Sequence, residues 1–305
     1  MSAAPSTPPG LPQASSRLPE AGTSLGADAW RRLKRNRVAM VGLVVLVLVT
    51  LACFLLPPLL DMDPQAVDAR RGAQPPGGEH LRGTDTLGRD YLARVLVGGQ
   101  TSLMVGLVAT LVCVLIGTLY GATAGYYGGR LDELMMRFVD FLYGIPYMFL
   151  VVLIMLLFED EARGNPLPVF LALGAVQWLS MARIVRGQVL ALRHQEFVLA
   201  ARLTGASDAR IILRHILPNV LGIVIIYATL TVPAVIILES FLSFLGLGVD
   251  LSWGRLVAEA VAVINPVRSY GWLLLWPSLA LALTLFSLNF VGDGLRDAFD
   301  PRSRR

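Results

Sequence analysis

Long apolar stretches separated by short polar segments dominate this chain, and most of them are about as long as a membrane is thick. An α-helix of roughly 20 apolar residues crosses the ~30 Å hydrocarbon core of a bilayer. Six stretches come close to that length, so we predict membrane-spanning helices at residues 38–60, 101–125, 138–158, 168–185, 220–244 and 272–291. The pattern therefore predicts an all-α polytopic membrane protein.

The fourth stretch is the least clear of the six, because Arg183 and Arg186 lie at its end. Without it the chain would have five spans, and its termini would lie on opposite sides of the membrane. With six spans and a cytoplasmic N-terminus, the inner segments carry 18 of the 26 lysine and arginine residues and the outer segments carry 8. Basic residues concentrate in cytoplasmic loops. We therefore expect six spans, with both termini and residues 187–219 in the cytoplasm.

The spans divide the chain into five parts. Residues 1–28 are rich in Pro, Ser, Ala and Gly, so this segment has little apolar surface to bury. A basic cluster follows it. The uncharged run after this cluster is too long for a signal peptide. We expect a disordered, basic cytoplasmic tail (1–37), a first transmembrane helix (38–60), a periplasmic loop (61–100), a five-helix transmembrane core (101–291) with a cytoplasmic loop at 187–219, and a cytoplasmic C-terminus (292–305).

Composition excludes several classes of function. The chain is 55% hydrophobic with a mean hydropathy of +0.62, which is far from a soluble globular domain. Lys34 is the only lysine, so the chain has no P-loop lysine to contact nucleotide phosphates and no buried lysine for a retinal Schiff base. Cys53 and Cys113 lie in apolar runs and the three histidines are scattered. We expect no catalytic residue, metal site or cofactor in this chain, and no nucleic-acid partner.

Small residues in the second span predict a helix contact. Gly117, Gly121 and Gly125 recur every four residues and therefore line one face of a helix. Such a face lets a neighbouring backbone approach closely in a membrane. We interpret these glycines as packing positions, with a gating hinge as the alternative.

Prolines and acids interrupt the apolar stretches. Pro146 lies within the third span, and a proline removes a backbone donor and tends to kink a helix. Asp140 and Glu239 are also intramembrane, where carboxylates normally face a partner, the bundle interior or a water-filled path. We consider both as translocation pathway candidates, with Glu239 preferred. For Asp140, reaching the interface or pairing with Arg137 is favoured over a transport role.

A polar segment lies between the fourth and fifth spans, at residues 187–219. Good helix formers run from 189 to 203, and Gly205 suits the left-handed position that ends a helix. Ser207 can cap a second short helix, and Asp208 suits its positive end. Pro218 is then expected to mark the entry to the fifth span.

The surface of this segment favours a protein partner. Phe197, Ala200 and Ala201 place a bulky apolar side chain beside two small ones, which suits docking into a groove. The alternative is an amphipathic helix lying on lipid headgroups. The polar face of residues 187–219 is not rich in lysine, and this disfavours the lipid-bound alternative.

The segment resembles the EAA loop of ABC importer permeases, in which Glu-Ala-Ala, a glycine and Ile-x-Leu-Pro follow at fixed spacing. The matching residues are Leu199-Ala200-Ala201, Gly205 and His215-Ile216-Leu217-Pro218. Leu199 stands where the pattern has glutamate, and Glu196 one turn earlier is a candidate replacement. The resemblance implies that a partner ATPase is contacted by Glu196, Phe197, Leu199, Ala200, Ala201, Gly205, Ala206, Ser207 and Asp208.

Four further segments resemble the peptide/nickel branch of these permeases, most closely the C-type permeases of oligopeptide importers. They are residues 83–90, 214–219, 242–254 and 288–297. Their residues also have structural explanations: Asp85 and Arg89 are close enough in sequence to pair, and Gly246 and Gly248 allow a tight reversal after the fifth span.

The resemblance implies the type I ABC importer permease fold and a non-catalytic permease subunit in the bacterial inner membrane. It also implies a homologous second permease, two cytoplasmic ATPases that bind ATP and Mg, and an extracytoplasmic peptide-binding protein. Oligopeptides or dipeptides are the expected cargo, with a nickel chelate or another small solute as alternatives. A self-sufficient secondary transporter is the competing class, disfavoured because no paired interrupted helices or acid–base relay are recognisable.

Overall fold

A computed structural model describes residues 25–78, 80–158, 167–264 and 270–299. Every element within these ranges is helical. The helices are α1 (Leu25–Leu33), α2 (Arg37–Leu59), α3 (Tyr91–Tyr127), α4 (Gly129–Gly144), α5 (Tyr147–Leu157), α6 (Leu167–Leu192), α7 (Glu196–Leu203), α8 (Asp208–Ile211), α9 (Leu217–Phe244), α10 (Trp253–Val263) and α11 (Gly271–Phe299).

Five continuous helices in the described part of the chain are long and apolar enough to cross a membrane. They are α2, α3, α6, the helix Asp208–Phe244 that joins α8 to α9, and α11. The candidate for a sixth span is the pair α4 and α5, which together are long and apolar enough to cross but bend by 89°. The fourth predicted span is therefore a long helix, α6, despite the arginines near its end.

The third predicted span, residues 138–158, differs from the expected single helix. α4 ends at Gly144, Ile145 is extended, and α5 starts after Pro146. The residue before a proline is pushed out of the helical region, and proline itself has no N–H to donate. Pro146 therefore turns the chain by nearly a right angle rather than producing a mild kink.

The ends of the first span also need correction. The predicted disordered tail of residues 1–37 is helical from Leu25 to Leu33, while residues 1–24 lie outside the described ranges. Ala29 and Leu33 are buried. Gly294 of α11 lies against Leu33, since a Cβ on this glycine would stand 2.9 Å from the leucine Cδ1. Packing against α11 therefore buries one side of α1, which the composition of the tail did not predict.

Two other boundaries move as helices extend beyond their apolar cores, and one further helix lies between spans. α3 begins at Tyr91, because the Asp90 side chain caps it by accepting a hydrogen bond from Ala93 N at 2.9 Å, so the predicted loop 61–100 ends ten residues earlier. α10 lies between the fifth and sixth spans. α11 continues to Phe299, into the predicted C-terminal segment 292–305.

Glycines on α3 bring α6 to backbone contact. A Cβ at Gly117 would stand 2.6 Å from the Met181 Cβ, and one at Gly125 would stand 2.8 Å from the Arg186 carbonyl oxygen. At Gly121 a Cβ would press on the Ala182 carbonyl. The three glycines therefore face one neighbouring helix of the same chain.

The outer half of α3 is crowded in the same way. A Cβ at Gly99 would stand 2.5 Å from Cys53 Sγ and 2.6 Å from the Trp253 ring. The indole of Trp253, the first residue of α10, donates to the Val95 carbonyl at 2.9 Å. α3 thus holds α2 and α10 as well as α6.

An ion-pair network ties the loop before α3 to this packing. Asp85 accepts from Arg89 Nε at 2.6 Å, the pairing expected from the sequence, and from Arg94 at 2.8 Å. The same Arg94 nitrogen donates to Glu259 of α10 at 2.8 Å. The loop, α3 and α10 are therefore joined through one buried arginine.

We expect Gly121→Ala to destabilise the folded chain by about 1–3 kcal/mol, because the new Cβ overlaps the backbone of α6. Thermal unfolding of the detergent-purified protein measures this. Gly187→Ala is the matched control on α6: no atom lies within 4 Å of its Cβ, so its Tm stays the same or rises. Equal losses of Tm in both variants would contradict the close contact.

Candidate coupling site

The segment predicted as one helix over 189–203 is two helices joined by a turn. α6 ends at Leu192, and Gln195 N donates to the Leu192 carbonyl at 3.0 Å before α7 begins at Glu196. A straight continuation would carry the second half away from the bundle. The turn instead lays α7 across the end of α3 and α6, where its apolar residues are buried.

One face of α7 packs on the chain's own core. Val198 is fully buried and Ala201 is 8% exposed, both in a cluster with Val189 of α6, Ile211 of α8 and Tyr126 of α3. Ala201 was predicted as an ATPase contact. The structure corrects this, because its side chain points into the bundle.

The opposite face of α7 is open and mostly apolar. Leu203 is 89% exposed, Leu199 is 45% exposed, and Ala200 and Glu196 are exposed beside them. These four positions are spaced i, i+3, i+4 and i+7, which places them on one helix face. Phe197 is exposed at its edge. We call this surface, made by Glu196, Phe197, Leu199, Ala200 and Leu203, the outer face.

Gly205 ends α7 as its residue type suggests. Its φ is +76°, Gly205 N donates to the Arg202 carbonyl at 3.0 Å, and Ala206 N donates to the Ala201 carbonyl at 3.1 Å. This pair of bonds is the Schellman arrangement. Ser207 occupies the capping position before α8, but its side chain makes no capping hydrogen bond.

Tyr126, at the end of α3, anchors the segment to the bundle. Its hydroxyl donates to Asp208 Oδ1 at 2.7 Å, and the Arg202 guanidinium lies 5.0 Å from its ring centroid. Asp208 is therefore engaged with α3 as well as lying in the first turn of α8. Sequence reasoning missed Tyr126, because 82 residues separate it from Asp208 and no local spacing signals the contact.

Pro218 does not separate a short helix from the fifth span. The chain is helical without interruption from Asp208 to Phe244, with a π-helical turn at Ile212–Ile216 just before the proline. Pro218 has no N–H for the usual bond to the carbonyl of Arg214. The π-helical turn widens the helix locally, and the helix continues past the missing hydrogen bond. The segment after Gly205 is thus the N-terminal end of the fifth span itself.

The two intramembrane acids lie in opposite environments. Glu239 is fully buried; Ser243 donates to it at 2.5 Å and Ser102 of α3 at 3.4 Å. It reaches no surface of the chain, which disfavours it as a pathway residue. Asp140 is exposed and pairs with Arg183 of α6 at 2.6 Å. The favoured pairing with Arg137 was wrong, because Arg137 binds Glu133 at 2.7 Å.

Comparison with known proteins places this arrangement in a family. The family model of the binding-protein-dependent transport system inner membrane component matches residues 117–305 of this chain. The chain belongs to this family. A second model, the N-terminal TM domain of oligopeptide transport permease C, matches residues 24–76.

Relatives of this chain agree with this membership. The chain is 48% identical to the oligopeptide transport system permease protein OppC of Escherichia coli K12, over 95% of both chains. It is 46% identical to OppC of Haemophilus influenzae (93% of this chain, 90% of the relative) and 44% identical to the dipeptide transport system permease protein DppC of Bacillus subtilis (91% and 86%).

A chain of the MetNI methionine ABC transporter, in an inward-facing conformation, has a TM-score of 0.52 and 19% identity, covering 67% of this chain and 95% of that one. The predicted ABC importer permease fold and multi-pass inner-membrane location are confirmed.

We expect Gly205→Val to loosen the end of α7, because a β-branched residue in the left-handed region costs about 1–2 kcal/mol. Hydrogen exchange of α7 and α8 amides in the purified protein measures the loss of protection. Gly205→Asn is the control, since asparagine tolerates this conformation and no atom lies within 4 Å of the new Cβ. Unchanged protection in the valine variant would contradict the cap.

Proposed function

We propose that the chain is the permease subunit of an ABC importer that moves oligopeptides or dipeptides across the bacterial inner membrane. The observation that carries this proposal is the two-sided α7, whose inner face is fixed to the membrane bundle while its apolar outer face is exposed. The peptide cargo is inferred from relatives that are oligopeptide transport permeases by name and are 40–48% identical over most of their length.

The outer face is the proposed contact with a cytoplasmic ATPase. Leu199, where related loops have glutamate, supplies apolar area, and Glu196 one turn earlier keeps a carboxylate on the same face. Ala200 leaves room for a close approach, and Phe197 lies at the edge of the face. Gly205, Ala206 and Ser207 continue the proposed contact where α7 ends. Asp208 acts instead as the anchor to Tyr126.

Energy has to come from other chains in this proposal. Lys34 is the only lysine, so a P-loop is absent, and partner ATPases bind the ATP and Mg. The full assembly contains two such ATPases, a homologous second permease and an extracytoplasmic peptide-binding protein. Both termini and α7 lie on the cytoplasmic side, in accord with the distribution of basic residues.

The geometry suggests how the signal travels. Closure of the ATPases moves α7, which packs on α3 at Tyr126. The continuous helix Asp208–Phe244 follows α7 and is bonded to Tyr126 through Asp208. Two membrane helices therefore move with it, from inward-open to outward-open. Reversing a 1:99 population to 99:1 takes about 5.5 kcal/mol of differential binding. The outer face is the proposed route for that energy.

We expect Ala200→Asp to abolish peptide uptake and uncouple ATP hydrolysis while the chain still inserts, because a carboxylate on the outer face is desolvated against the ATPase groove. Co-purification of the ATPases and uptake by the reconstituted complex are the two measurements. Ala191→Asp, an exposed alanine at the end of α6, is the matched control and keeps both.

Wild-type uptake by Ala200→Asp would refute the docking role. Ion-driven uptake by this chain alone in vesicles would instead support a secondary transporter and refute the importer.

A further inference from the structure

A cavity of about 240 Å³ lies at the bend between α4 and α5 and opens on the surface of the chain. Tyr143 and Pro146 line it on one side, and Gln177 and Ser180 of α6 line it on the other. Gln177 is near the middle of the predicted span 168–185, with Ser180 one turn nearer the cytoplasmic end. The cavity therefore lies at membrane depth.

The bend itself indicates contact with water or protein. The last carbonyls of a helix have no hydrogen-bond partner within the helix. At the end of α4, and within the described residues, the Leu142 carbonyl alone accepts a backbone hydrogen bond, from Ile145 N at 3.3 Å. Irregular backbone at membrane depth is tolerated where it is covered by protein or lines a water-filled cavity, and not against lipid. The cavity beside Pro146 meets this condition.

The polar side chains around the bend carry no charge, and Leu142, Ile145, Val176 and Leu179 line the same cavity. The Tyr143 hydroxyl bonds the Ser180 hydroxyl at 2.6 Å, and the buried Tyr147 hydroxyl has no partner in the described chain. Gln177 is half-buried and makes no side-chain hydrogen bond within the described ranges. Amides and hydroxyls both donate and accept, so they match a ligand that does the same.

In the described part of the chain, the charged residues near this group lie on its cytoplasmic side. Arg183, one turn beyond Ser180, pairs with Asp140 and stacks 3.9 Å from the Tyr143 ring centroid. The side chains of this pair are 43% and 64% exposed. An exposed ion pair within two spans is costly against lipid and normally faces a water-filled path or a protein. The pair and the cavity form one polar stripe.

We propose that this polar stripe lines the translocation pathway, and that Gln177, Ser180 and the backbone at the bend bind the main chain of the transported peptide. A peptide main chain repeats an N–H donor and a C=O acceptor whatever its side chains are. Uncharged donors and acceptors therefore hold cargo of varied sequence, and the Asp140–Arg183 pair marks the inner mouth. This inference rests on the proposed peptide importer.

Water access is the first test. In the assembled complex with Cys53 and Cys113 replaced by alanine, Ser180→Cys and Gln177→Cys are treated with a charged, membrane-impermeant thiosulfonate. We expect them to react at least about tenfold faster than Leu171→Cys on α6 and Phe149→Cys on α5, because only a hydrated thiol ionises. Both control positions are exposed on the chain. Reaction as slow as at the controls would overturn the proposal and assign the stripe to lipid or to the second permease.

Peptide contact is the second test, with tri-alanine as the probe. Tri-alanine is expected to slow labelling of Gln177→Cys, and Gln177→Leu to reduce tri-alanine uptake about tenfold, the equivalent of one lost hydrogen bond. Gln177→Asn restores part of this uptake, and Leu171→Ala leaves it unchanged. Full uptake by a folded Gln177→Leu complex would overturn peptide binding here.

The proposed cargo and the proposed pathway lining can be refuted independently. A wild-type complex that hydrolyses ATP but takes up no peptide would refute the proposed cargo, whereas fast labelling of Ser180→Cys would still establish the water-filled lining. Wild-type uptake with no labelling would refute the lining and leave the importer intact.

Discussion

The close approach of α3 to its neighbours is the constraint on which the rest of the structure depends. Gly117, Gly121 and Gly125 let α6 reach the α3 backbone, and Gly99 accommodates α2 and α10 at the other end. Helices in a membrane gain little from apolar burial against each other, so contact at backbone distance supplies much of their association. One 37-residue helix thus sets the positions of both the loop before α3 and the segment that contains α7.

The position of α7 and α8 depends on the contact between α3 and α6. α6 and the end of α3 form the floor on which Val198 and Ala201 of α7 are buried, and the Tyr126 hydroxyl bonds Asp208 there. The same residues that hold α7 leave its other side exposed. In the proposed mechanism, this rigid inner contact transmits movement of the outer face to the spans.

Features set by local residue types were predictable from the sequence, and those set by distant contacts were not. Six spans and the left-handed Gly205 follow from run length and from residue type. The Tyr126–Asp208 and Asp140–Arg183 pairs join residues 82 and 43 positions apart, and a single sequence carries no sign of them. Pro146 predicted a bend but not its size, because neighbouring helices decide how far the chain turns. The burial of Glu239 and the exposure of Asp140 were not predictable either, because burial depends on packing between distant helices.

Photo-crosslinking from the outer face tests the central claim most directly. A photoreactive phenylalanine in place of Leu203, the most exposed of the large apolar side chains on α7, is predicted to form a covalent adduct with the ATPase in the assembled complex. The same residue in place of Leu81, exposed in the loop before α3, is predicted to form none. Adducts at position 203 with lipid or with the second permease, and none with the ATPase, would contradict the account.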